Sequence, residues 1–338
     1  MRPPRRSLPH CTGASCLDKA MARLAGKETV GPLLNRALLR AGVWTMGRVS
    51  QSRLVPSPVH RPLFKMATRL GQSIPPGVVI TKRRIATVPV EQLSYCPSTS
   101  AGWILYLHGG AYVLGAASTH RGITSRLCAL TGRMVVTVDY GLAPEHPFPA
   151  AVTQARAVYA ALLEQGVATQ DIILAGDSAG GGLAIGTALA IRDAGMPCPA
   201  AIVAMSPWGN LDHTPTSSGR PHRDLMLNGD YLASAASRYL GGKDHLARHP
   251  WASPVHGDFH GLPPLLIQVD KGELLYDDAL RLTAAARRAG VPVELECWQG
   301  LWHVWQFFAG RLDEADQALE RIARFMASHS SSPAAPGH

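Results

Sequence analysis

The pentapeptide Gly176-Asp177-Ser178-Ala179-Gly180 carries the strongest chemical signal in the chain. A protein with 33 glycines meets a G-x-S-x-G string readily by chance, and the plain alternative is a glycine-rich turn for close packing. The flanks favour chemistry. The apolar run DIILA precedes the string and the helical run GLAIGTALAIRDAG follows it. A serine on such a strand-to-helix turn is held in a strained conformation that only small neighbours allow, with its hydroxyl exposed above the sheet. The helix N-terminus favours negative charge beside it. This is the setting of a nucleophile that attacks a carbonyl carbon.

A serine hydroxyl is a weak nucleophile and needs a base. Where such a turn carries the nucleophile, the chain order is serine, acid, histidine. Of 14 histidines, His303 has the right place, in QGLWHVWQFF after the run VELECW and before the last helical segment. Packing in that aromatic cluster is its competing explanation. His213, His222, His256 and His260 lie in or just after an irregular insertion and are read as non-catalytic. The acid belongs after PLLIQV, where Asp270, Glu273, Asp277 and Asp278 compete. Asp270 stands early, at the strand end. Asp277 and Asp278 fall where a helix begins and a carboxylate caps exposed N–H groups. Glu273 sits mid-loop, where it can reach the histidine, fix its tautomer and stabilise the imidazolium. His108-Gly109-Gly110-Ala111-Tyr112 follows the run WILYL. Its small side chains let two successive backbone N–H groups face a developing oxyanion, with the N–H of Ala179 as a third donor. The set describes two-step acyl transfer, which needs no metal or organic cofactor.

The elements that would hold these residues are legible from residue 103 onward. WILYL, MVVTVDY, DIILAG, AAIVAMS, PLLIQV and VELECW are short apolar runs, separated by helical stretches at about 120–131, 150–165, 179–194, 277–289 and 314–327. Strands alternating with helices indicate an α/β fold with a mostly parallel sheet flanked by helices. VVITKRRIATVPVEQLSYC reads as an antiparallel pair ahead of it. The segment 207–260, rich in Pro, Gly, His and Ser with one helix near 229–240, breaks the rhythm and is expected to form a lid. Weak helical signals over 26–75 are expected to join it as cap helices. Residues 1–25 are expected to be a disordered leader, of which 1–20 are dispensable, with Met21 an alternative start, 76–330 the catalytic domain, and 331–338 a disordered tail.

Composition excludes several classes. Hydrophobic residues make up 46% of the chain, enough for a sizeable core. The net charge of +9 is uneven: residues 1–84 hold 16 Lys/Arg and 2 Asp/Glu, and the remainder 17 and 22. The basic residues are scattered, with only Trp44 and Phe64 as aromatics among them, which argues against a nucleic-acid partner. Loose attraction to anionic surfaces fits the charge better. The start MRPPRRSLPHCTGASC lacks the apolar stretch of a secretory signal, and no run approaches the roughly 18 apolar residues of a membrane span. The six cysteines form no CxxC pair, and Cys128, Cys198 and Cys297 read as small core residues of a reducing compartment. The expectation is a cytoplasmic enzyme acting on a small molecule, with a homodimer as an open option.

In combination, HGGAY at 108–112, DYGLAPEHPFPAA at 139–151, GDSAGG at 176–181, SPW at 206–208, GELLYDD at 272–278 and HVW at 303–305 resemble the hormone-sensitive lipase-like α/β-hydrolases, esterases related to arylacetamide deacetylase. The resemblance covers about residues 75–328. It implies Ser178 as nucleophile, His303 as base, the amides of Gly109, Gly110 and Ala179 as oxyanion hole, an N-terminal helical cap, and short- to medium-chain esters as substrates. Ala111 stands where the family has a third glycine, and Gly141 where it has arginine. Glu273 and Asp277 occupy the family's D-x-L-x-D pattern, so the resemblance makes Glu273 the acid in place of aspartate. An amidase or deacetylase on the same machinery is the first alternative. A ligand-binding member without activity is the second, set against the presence of both Ser178 and His303.

Overall fold

The computed structural model describes residues 32–50, 57–96, 100, 102–212 and 224–330. The readings for the leader, residues 1–25, and the tail, 331–338, fall outside these residues, as do His213 and His222.

Among the described residues eight strands form one sheet: β1 (Val78–Ile85), β2 (Val88–Tyr95), β3 (Trp103–Leu107), β4 (Met134–Val138), β5 (Ile172–Asp177), β6 (Ala201–Met205), β7 (Leu265–Asp270) and β8 (Val293–Trp298). Their spatial order is β1-β2-β4-β3-β5-β6-β7-β8. β1 pairs with β2 and β2 with β4 antiparallel; every later pairing is parallel. The central strands are mostly apolar because both of their faces are covered, with polar residues such as Asp177 and Asp270 at their carboxyl ends. The period of two sorts their side chains. Leu105, Leu107 and Leu174 pack with Val158, Leu183 and Leu282, while Ile104, Tyr106, Ile173 and Ala175 pack with Ile123, Leu127, Leu319 and Ile322. One layer thus holds α4 (Ala150–Glu164), α5 (Ala179–Asp193) and α7 (Tyr276–Arg288), and the other holds α3 (Arg121–Thr131) and α8 (Asp313–Ser328).

Two further pieces stand at the carboxyl ends of the strands. The N-terminal helices are α1 (Pro32–Ser50) and α2 (Ser57–Gly71), and the insertion after β6 carries α6 (Gly229–Tyr239). Asn228 caps α6 through its side-chain oxygen, which accepts the Tyr231 N–H at 2.8 Å. Arg61 ties α2 to the body, donating to the carbonyls of Val113 and Ala143 and gripping Glu145 with both Nη atoms.

Two readings are corrected. α7 begins at Tyr276 with Leu275 as N-cap and no side-chain cap, so Asp277 and Asp278 lie inside its first turn. They complement the helix dipole there, and the Asp278 carboxylate reaches sideways to accept the N–H groups of Gly209 and Asn210, both at 3.0 Å. Of the three cysteines read as core, only Cys128 is buried. Cys198 is half-buried, and Cys297 is exposed because β8 lies at the sheet edge.

Candidate active site

Ser178 lies between the end of β5 and the start of α5 with φ 54° and ψ −124°, a conformation costly for any residue with a Cβ. Its neighbours must be small. A Cβ on Gly180 would run into the carbonyl oxygen of Leu107 and stand 2.6 Å from that of His108, so glycine there lets the turn meet the end of β3. The turn is anchored on β6, where the Ser178 N–H donates to the Met205 carbonyl at 2.8 Å, and on the following loop, whose Trp208 N–H donates to the Ser178 carbonyl at 2.9 Å.

His303 and Glu273 converge on this serine from the loops after β8 and β7. His303 Nε2 is 2.8 Å from Ser178 Oγ, and its Nδ1 is 2.7 Å from Glu273 Oε2. An ionised carboxylate only accepts, so Nδ1–H donates to Glu273 and Nε2 is left to accept the serine proton. The other carboxylate oxygen, Oε1, accepts the Ser206 hydroxyl at 2.8 Å and the Asp270 N–H at 2.9 Å. Asp270 supports the loop beyond, accepting the N–H groups of Gly272 and Leu301. All three central side chains are buried, Ser178 at 9% exposure. Burial pushes the Glu273 carboxyl up, against the opposing hydrogen bond from His303. Burial alone would lower His303. The hydrogen bond and charge of Glu273, with Asp224 and Asp177 beyond, outweigh it and hold the imidazole above its usual range.

The loop after β3 is braced from behind. The Gly109 N–H donates to Asp177 Oδ1 at 3.1 Å and lies 3.2 Å from His120 Nε2. Asp177 also accepts the Tyr106 hydroxyl at 2.7 Å and faces His120 Nε2 at 3.3 Å. Burial works to raise Asp177, but the charge and hydrogen bond of His120, with Tyr106 and His108 added, leave its carboxyl below the usual range. Burial and the nearby His120 push His108 down to about 4. The neutral ring stacks on Tyr140 at 4.2 Å, and the Tyr140 hydroxyl donates to the His108 carbonyl at 2.6 Å. Gly109 is therefore turned toward Asp177. Gly110 and Ala111, both at positive φ, line the cleft with Ser178 and His303. The cleft's apolar walls include Phe64 from α2, Met226, Leu227 and Tyr231 from the insertion, and Leu114 and Phe307 from the body.

The family model for the alpha/beta hydrolase fold matches residues 104–307. An acetyl-hydrolase from Streptomyces hygroscopicus is 45% identical over 255 residues, 75% of this chain and 83% of that protein. An esterase from Acinetobacter venetianus is 37% identical over 295 residues, 86% of this chain and 94% of that protein. The crystal structure of an esterase from the bacterial hormone-sensitive lipase family superposes with a TM-score of 0.83 at 35% identity, over 90% of this chain and 100% of the other.

The chain belongs to the hormone-sensitive lipase-like α/β-hydrolases.

For this hydrolase the structure brings Ser178, His303 and Glu273 together, and puts Gly110 and Ala179 beside the serine. It does not bring Asp277 to His303. His256 and His260 pair with Asp212 and Asp258 instead of entering the site. Ser206, His120 and Asp224 carry no role in the sequence reading. Ser206 had a signal in the SPW string after β6, whereas His120 and Asp224 reach their partners only through the fold.

Proposed function

We propose that this hormone-sensitive lipase-like hydrolase is a carboxylesterase for short- to medium-chain apolar esters. The relay Ser178–His303–Glu273, at 2.8 and 2.7 Å, carries the reading. Ser178 Oγ attacks the ester carbonyl as His303 Nε2 takes its proton, and Glu273 stabilises the imidazolium. The tetrahedral oxyanion is met by backbone N–H groups. With the Gly109 amide engaged by Asp177, the donors are Gly110 and Ala179, with Ala111 in Gly109's stead. Collapse expels the alcohol, which receives the His303 proton, and leaves an acyl-serine. Water, deprotonated by His303, attacks the acyl carbonyl; the carboxylic acid leaves and Ser178 regains its proton. The relatives named acetyl-hydrolase and esterase support the substrate class, and the apolar walls support an uncharged acyl group.

The N-terminal helices and the 207–260 insertion are proposed as the cap over this cleft, since Phe64 and Met226 line it from the two pieces. No helix among the described residues is long and apolar enough to cross a membrane. A cytoplasmic location is proposed on the four free cysteines among those residues. A homodimer is proposed on the exposed edge strand β8, and light scattering decides it. The function is tested with a p-nitrophenyl ester series from acetate to palmitate, together with a fluorophosphonate probe. Peak turnover at about eight carbons or fewer and a single adduct on Ser178 are expected. A peak on long-chain emulsions, or an adduct elsewhere, overturns the reading.

A further inference from the structure

Residues 224–227 form a turn wedged between two parts of the site. On one side lies α1, where a Cβ on Gly47 would stand 2.7 Å from the Met226 carbonyl oxygen, so the helix rests directly on the turn's backbone. On the other side lies the loop that carries Glu273. A single carboxylate joins the turn to that loop. Asp224 Oδ1 accepts the N–H groups of Met226 at 2.8 Å and Leu227 at 2.9 Å, and Oδ2 accepts the Leu274 N–H at 3.0 Å. Met226 and Leu227 are cleft wall. Leu274 directly follows Glu273, which holds His303 Nδ1.

We propose that Asp224 is a positioning and specificity-determining residue, pinning the cleft wall at Met226–Leu227 to the loop of the triad acid so that acyl pocket and relay are set as one unit. This rests on the esterase reading of the site. The carboxylate is suited to the task because its two oxygens accept along different directions. The first shapes the turn, as in the side-chain-to-backbone turns that aspartate favours; the second reaches the loop. Asparagine keeps one acceptor and turns an NH2 group toward the other N–H. The Asp224 charge also stands with Glu273 and Asp177 as the carboxylates that favour protonated His303.

Two effects separate this role from general support of the fold. Loosening the wall weakens binding of acyl groups long enough to touch it, and removing the charge lowers the pH at which His303 becomes a free base. The test uses the full chain with Asp224→Asn, Asp224→Glu and Ser178→Ala, assayed on p-nitrophenyl acetate and hexanoate from pH 5 to 9. In Asp224→Asn the KM for hexanoate should rise about tenfold more than that for acetate, the scale of one lost hydrogen bond, and the acid limb of kcat/KM should move to lower pH. Asp224→Glu retains the charge, so its acid limb should stay in place while the hexanoate KM rises; this keeps the test open should the asparagine variant not fold. Equal losses on both esters with an unmoved acid limb, or wild-type behaviour, overturn the proposal. Ser178→Ala distinguishes the failures: activity surviving there brings down the esterase reading, whereas an inactive Ser178→Ala beside an unaffected Asp224→Asn brings down the Asp224 role alone.

Discussion

Replacing Glu273 by glutamine removes one charge and no volume, and the surroundings determine how the new amide must lie. In the wild type one carboxylate oxygen takes His303 Nδ1–H at 2.7 Å, and the other takes the Asp270 N–H at 2.9 Å and the Ser206 hydroxyl at 2.8 Å. The Asp270 N–H is fixed backbone and cannot turn away, so the glutamine oxygen must face it and the amide NH2 must face His303. Nδ1 then has to accept, its proton moves to Nε2, and the ring presents a donor to Ser178 in place of an acceptor. The analogous carboxylate-to-amide change in serine proteases costs about 10⁴ in kcat by this route. Allowing for a fraction of inverted amide, a loss of about 10³ to 10⁴ is expected, equivalent to about 4–5.5 kcal/mol of barrier. Initial rates on p-nitrophenyl acetate measure it, with circular dichroism and melting temperature to show that the fold persists. Asp277→Asn is the matched control and should stay within about threefold of wild type, because Asp277 lies in the first turn of α7 and Glu273 is the carboxylate on His303 Nδ1. A Glu273→Gln enzyme keeping a tenth or more of wild-type kcat/KM refutes the reasoning, and only if Asp277→Asn collapses at the same time does Asp277 become the acid.

Ser178→Ala and His303→Ala should each lower turnover at least about a thousandfold, with the double variant little worse, because triad members act as a unit; additive losses in rate measurements speak against a shared step. His303 must be neutral to accept a proton and its pKa is held up, so kcat/KM should rise with pH along a limb centred above the ordinary histidine value of about 6.5. A limb below that value contradicts the electrostatic reading. Burial raises Asp278 to about 7, so its contribution to stability is full at acid pH and falls as pH rises through about 7. Asp278→Asn keeps an oxygen for the Gly209 and Asn210 N–H groups, and its melting temperature should gain on wild type between pH 5 and 8; a variant that loses ground to wild type over that range counts against the assignment.

The strands were readable because burial on both faces turns them into apolar runs such as WILYL and MVVTV, and the helices between them because glycines and polar turns mark their ends. The contact of Glu273 with His303 was expected from loop position and from a pattern shared with a family. Contacts between distant parts of the chain left no such trace. Asp177 reaches Gly109 across 68 positions, and Asp224 reaches Leu274 across 50. Nothing local to HGGAY tells that its first glycine N–H turns backward to a carboxylate from the neighbouring strand end. Asp277 misled for a different reason. Capping propensity is a local preference, and here helix α7 starts a residue earlier, at a leucine cap without a side-chain acceptor.

The backbone of Ser178, at φ 54° and ψ −124°, has a consequence for how such a protein drifts. Glycine tolerates that geometry better than serine, by about 1–3 kcal/mol, so the substitution that removes the proposed nucleophile would also relax the fold. Chance change at this one position therefore drifts toward a sturdier, silent molecule, and activity persists only under continuing selection for turnover. A silent relative that kept the cleft would be a ready-made receptor for the same small molecules, a single codon away from its parent.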